Sequence, residues 1–172
     1  MRSFFEENSP DPFSCDTTPR MTKKRAKKTV TRKPKPARRA LKRAAAKFDA
    51  LLAPIKGATA REVAGVRLEV APAGQARVKR MIYPPGFRWS KAMKPVVGTD
   101  RCMHAHAGFL ARGEIHIEYP DGCVVKYKAP QVVAIEPGHD GWVVGKEAVV
   151  LIEFDFEGDT VSRLGMPAEH RH

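Results

Sequence analysis

The chain has 172 residues, 42% of them hydrophobic, and a formal net charge of +12. That length suits one domain with a core plus an extension, and no apolar run is long enough to cross a bilayer as a helix. Three well-separated cysteines, Cys15, Cys102 and Cys123, do not make a disulfide framework and suit a reducing, cytoplasmic compartment. Residues 1–20 lack the hydrophobic segment of a secretory signal, and Met21 is a second candidate start.

The charge is unevenly placed. Residues 1–64 hold 17 Lys and Arg against 6 Asp and Glu, whereas residues 65–172 hold 14 against 13. The reading is therefore a basic extension on a near-neutral domain. Residues 1–36 are predicted to be disordered, basic from residue 22, because the stretch has almost nothing to bury. Over residues 37–56 Leu41, Ala44, Ala45, Phe48, Leu51 and Leu52 recur at helical spacing among basic residues, which predicts a basic amphipathic helix ended by Pro54 and Gly57.

Dense positive charge neutralises phosphates and releases their counterions, independently of base sequence. Lys23, Lys24, Arg25, Lys27, Lys28, Arg38, Arg39, Lys42 and Arg43 are the candidate nucleic-acid contacts. An anionic membrane surface and a merely solubilising tail are the competing readings, the membrane ranked last because much of the apolar face is alanine.

From residue 60 to residue 158 the pattern is β. "VRLEVAP" and "EIHIEY" alternate apolar and polar residues, "PDG" at 120–122 signals a hairpin, and "QVVAI", "GWVVG" and "AVVLIEF" are short strands between turn formers. Many short strands with no helix between them predict an all-β antiparallel sandwich or barrel. Residues 159–172 read as a flexible C-terminal tail.

Within this region stand Trp89-Ser90, Lys94-Pro95, Gly98-Thr99-Asp100, Cys102, His106, Gly108 and Pro137-Gly138-His139-Asp140-Gly141-Trp142. Their order resembles a subgroup of the small single-domain cupins (RmlC-like jelly rolls), and the likeness spans roughly residues 60–158. It implies an antiparallel jelly-roll barrel with a ligand cavity, and small cupins often pair, so a homodimer is a candidate assembly.

Metal-binding cupins carry a His-x-His and a later Glu in one motif and a His in a second. Here His104 and His106 start the first motif, but Leu110 or Ala111 stands where the Glu is expected. Aligning instead on Gly113 places His106 in the glutamate slot and Asp100 and Cys102 in the histidine slots. Glu136-Pro137-Gly138 matches the second motif, whose His and Asn slots hold Gly141 and Gly145, with His139 two places early. The usual four-ligand set is broken.

Two readings of the imidazoles stay open. In one, His106, His139 and His104 converge on a divalent metal (Fe, Mn, Ni or Zn), with Asp100, Cys102 and Trp142 in the ligand pocket. In the other, His106 and His139 are hydrogen-bonded structural residues. Residues 100, 102, 104 and 106 are expected on one strand face, pointing inward, while His116 reads as surface. No nucleophile–base pair or phosphate loop stands out, so no catalytic residue is assigned and enzyme status is left open. The expected function is a small-molecule-binding barrel, the alternative a non-catalytic sensor tethered to nucleic acid by the tail.

Overall fold

The structure is a computed structural model that describes residues 48–171. The predicted disorder over 1–36, most of the predicted helix and all the proposed nucleic-acid contacts lie outside those residues. Nine strands form two antiparallel sheets: β1 (Thr59–Val63), β2 (Val66–Ala73), β3 (Ala76–Tyr83), β4 (His106–Arg112), β5 (Glu114–Glu118), β6 (Val124–Lys128), β7 (Gln131–Ile135), β8 (Asp140–Val144) and β9 (Val149–Asp155). One sheet runs β1-β2-β3-β9-β4-β7 and the other β6-β5-β8. This is the antiparallel jelly-roll barrel expected from the sequence. Three short helices, α1 (Trp89–Ala92), α2 (Lys94–Val97) and α3 (Thr160–Leu164), complete it.

Alternation decides what fills the space between the sheets. Tyr83, Leu110, Ile115, Ile117, Tyr119, Val125, Tyr127, Val133, Ile135, Val149 and Leu151 are buried there, most of them β-branched or aromatic. Gly108 has a packing reason to be glycine. A Cβ on it would lie 2.0 Å from the Ile152 carbonyl oxygen, so no side chain fits where β4 meets β9.

Of the predicted helix over 37–56 only residues 48–56 are described, and these form turns rather than helix. Asp49 accepts from the Leu51 backbone N–H and pairs with Arg112 at 2.6 Å. Arg67 donates to the Leu52 carbonyl at 3.0 Å, and Arg80 to the Ala53 carbonyl. Beneath this strap Glu69 and Arg80, register partners on β2 and β3, form a buried ion pair on the outer face of the sheet.

The C-terminal segment makes contacts with the barrel. Thr160 donates to the buried Asp155 carboxylate, α3 follows, and the His170 ring stacks on Tyr119 with centroids 3.7 Å apart. No helix among the described residues is long and apolar enough to cross a membrane.

Candidate metal centre and ligand cavity

The barrel encloses a cavity of about 470 Å³. Its walls are mostly apolar: Val66, Leu68, Met81, Phe87, Trp89, Ile115, Ile117, Ile135 and Leu151 line it, with Met93, Val97 and Met103 toward the mouth. Polar groups gather on one side, where Cys102, His104, His106, His139 and Lys79 also line the wall. A volume of this size, apolar with a few convergent polar groups, is the ordinary form of a small-molecule site.

His106 is the first residue of β4 and points inward. Its Nδ1 lies 2.9 Å from Glu153 Oε1, and its Nε2 lies 3.7 Å from Cys102 Sγ. Glu153 reaches this spot because Gly108 is its register partner on β4, leaving the carboxylate room beside the ring. His139 sits in the turn before β8, where its Nδ1 donates to the Glu136 carbonyl at 2.6 Å. An isolated β-bridge ties Cys102 to His139: Cys102 N–H donates to the His139 carbonyl at 2.8 Å. One ligand atom from each of Cys102, His106 and His139 lies within 4.8 Å of the others, and all three residues are buried.

The charges of Cys102 and His106 are set by their neighbours. Burial alone would raise the Cys102 thiol, but the adjoining His106 and His139 rings outweigh it and lower it to about 5. Burial would likewise lower His106, whereas the Glu153 carboxylate and the Cys102 sulfur raise it. The Cys102 sulfur, the His106 ring and the Glu153 carboxylate thus form one electrostatically coupled row in the cavity wall. His104 is shifted the other way, downward, by burial, His106 and Lys79. Its Nε2 lies 2.7 Å from Lys79 Nζ, which also pairs with Asp155 at 3.2 Å.

The residues expected at the site divide. His106, His139, His104 and Cys102 line the cavity. Asp100 does not; its side chain is 93% exposed and pairs with Lys94 at 2.7 Å. Residues 98–105 form bends and a single bridge rather than a regular strand, so strict alternation fails before His106. Trp142 is excluded as well. On β8 Gly141 lines the cavity and Val143 is buried, so the intervening indole faces outward, under the Arg88 guanidinium and beside His116. His116 is accordingly half-buried against Trp142 and bonded to Glu114, rather than solvated. Glu153, Lys79 and Tyr83 went unnoticed in the sequence. Glu153 and Asp155 alternate in register with the buried Leu151, and acids on the inward face of a strand were the available signal.

The site is thus a Cys–His–His cluster in the wall of an antiparallel β-barrel. No family model and no curated protein matches the chain. Among solved structures it is similar to a Cupin 2 conserved barrel domain protein from Salinispora arenicola, at 16% identity over 66% of this chain and 94% of that one, with a TM-score of 0.44. It is also similar to the cupin domain of Cnp3 from Schizosaccharomyces pombe, at 13% identity over 63% and 76% and a TM-score of 0.41. A Vibrio parahaemolyticus protein of unknown function shares 10% identity over 58% and 97%, also with a TM-score of 0.41.

Proposed function

We propose that this chain is a small-molecule-binding barrel that holds a divalent metal at the cavity wall through His106 and His139. One observation carries the reading. Each ring has its Nδ1 engaged by a protein acceptor, Glu153 for His106 and the Glu136 carbonyl for His139. That fixes both tautomers and leaves each Nε2 toward the common space beside Cys102, the arrangement by which metal-ligating histidines are oriented. The donor set therefore fits a transition metal. His104, the third imidazole of the expected set, forms a separate group with His106 and Glu153, ligand atoms within 4.8 Å of one another, and has Lys79 on its Nε2.

When bound, the metal supplies a Lewis acid next to an apolar cavity. The chain's own groups do the rest. Glu153 keeps the proton on His106 Nδ1, Phe87, Trp89 and Ile117 exclude water, and Met103 and Val97 form an apolar lip for an incoming ligand. An apolar or aromatic body is the chemistry these walls accept. The test is elemental analysis of gently purified full-length protein. One metal per chain is expected, lost in His106→Ala and in His139→Ala and kept in His104→Ala. Substoichiometric metal indifferent to both changes rules the centre out.

A second reading, a sensor module tethered to nucleic acid, is favoured by the concentration of positive charge before residue 65. Its test compares duplex-DNA binding of the full chain and of residues 48–172 across a salt series. The cut falls at 47 because residues 49–55 are pinned to the sheet. Equal binding by both removes the tether.

A further inference from the structure

We propose that Cys102 is the third protein ligand of this centre, so that its ion belongs to the thiolate-preferring zinc and copper class rather than to iron or manganese. The inference rests on the metal reading above and deepens it.

Spacing is the first argument. Tetrahedral zinc has Zn–S of about 2.3 Å and Zn–N of about 2.0–2.1 Å, which places neighbouring S and N ligand atoms roughly 3.5 Å apart. Cys102 Sγ and His106 Nε2 are already 3.7 Å apart. A shift of a few tenths of an ångström would admit the ion between them.

Fixation is the second. Cys102 is held from both sides of its peptide, donating to the His139 carbonyl at 2.8 Å and accepting from the Gly138 N–H at 2.8 Å. The sulfur is therefore positioned by the same turn that positions the His139 ring. The strand carrying His106 and the turn carrying His139 meet at this residue.

The alternative third ligand is disfavoured by charge. His104, His106 and Glu153 also have ligand atoms within 4.8 Å of one another, and His104 Nδ1 has no hydrogen-bond partner among the described residues. Its Nε2, however, lies 2.7 Å from the Lys79 ammonium, and a cation there repels a second one. With two imidazoles and one thiolate, the set is softer than three imidazoles, and soft donors select zinc and copper over manganese and iron. Three protein ligands would leave one position open, and all three line the cavity.

The experiment loads chelator-treated full-length protein with one equivalent of zinc for X-ray absorption, and with cobalt(II) as an optical probe. One sulfur per zinc at about 2.3 Å is expected, together with a sulfur-to-cobalt charge-transfer band. Cys102→Ser should abolish the band and weaken zinc binding by at least the ~10–100-fold that loss of an outer-shell partner costs. His104→Ala should retain both. Excess manganese(II) should fail to displace the zinc. A wild-type zinc shell of nitrogen and oxygen only, or displacement by manganese, overturns the thiolate assignment while leaving the imidazole site standing. Failure to take up one equivalent of any of these ions overturns both.

Discussion

His106 Nδ1 and the Glu153 carboxylate are 2.9 Å apart, and Glu153 is fully buried. The second carboxylate oxygen, Oε2, finds no partner among the described residues. Burying an acid in a barrel is unfavourable unless a charge or a strong donor meets it. The imidazole of His106 is that partner, and in return the carboxylate fixes which of its nitrogens faces Cys102.

Glu153→Gln keeps the shape and removes the charge, so the carboxylate that orients His106 is replaced by a weaker, neutral amide acceptor. Metal affinity should fall by about 10- to 100-fold, measured by competition with a chromophoric chelator. An unchanged affinity would mean that Glu153 plays no part in orienting the ligand.

Gly108→Ala places a methyl group against the Ile152 carbonyl, where 2.0 Å is available. Strands β4 and β9 must separate, at a cost of about 1–3 kcal/mol or more. Urea unfolding should show the lower midpoint. Wild-type stability in this variant would refute the close approach.

The Asp155 carboxyl would be raised by burial, but Arg77 and Lys79 outweigh that effect and hold it at about 2, against an ordinary 3.8. A depressed acid stabilises the fold fully above its unfolded value and loses that contribution as pH falls through its folded value. Stability from this group should therefore be complete above pH 3.8 and fade toward pH 2. Asp155→Asn should unfold more readily at neutral pH and show a shallower acid loss in that window. Urea titrations at a series of pH values measure it, and parallel curves for the two proteins would contradict the pairing.

In metal-free protein the Cys102 thiol, lowered to about 5 from an ordinary 9.0, is ionised at neutral pH. Ultraviolet thiolate absorbance assigned to Cys102 by its loss in Cys102→Ser should persist at pH 7 and disappear as pH falls through about 5. A midpoint near 9 would show that the His106 and His139 rings do not act on the sulfur.

Much of the barrel was legible before any coordinates. Ile115, Ile117 and Tyr119 alternate with polar neighbours and all three are buried, since a half-buried strand states its inward face every second residue. That logic failed where the backbone stops being a strand. Asp100 was placed with His106 by counting in twos, but residues 98–105 bend, so the count carried it into solvent. Trp142 is expected in the pocket from its motif, without regard to parity, and Gly141 beside it shows which face of β8 turns inward.

By itself the sequence determined the β class, the boundary between basic extension and neutral domain, and His106 and His139 as the imidazoles of interest. The β class and the charge boundary follow from composition and local periodicity, which neighbours along the chain settle, whereas the imidazoles and Cys102 came from the resemblance to small cupins. Only the tertiary structure decided that Cys102 rather than Asp100 or Trp142 joins His106 and His139, that Glu153 from β9 holds the His106 ring, and that Lys79 meets His104. Those contacts join residues far apart in sequence, and strand register rather than spacing brings them within bonding distance.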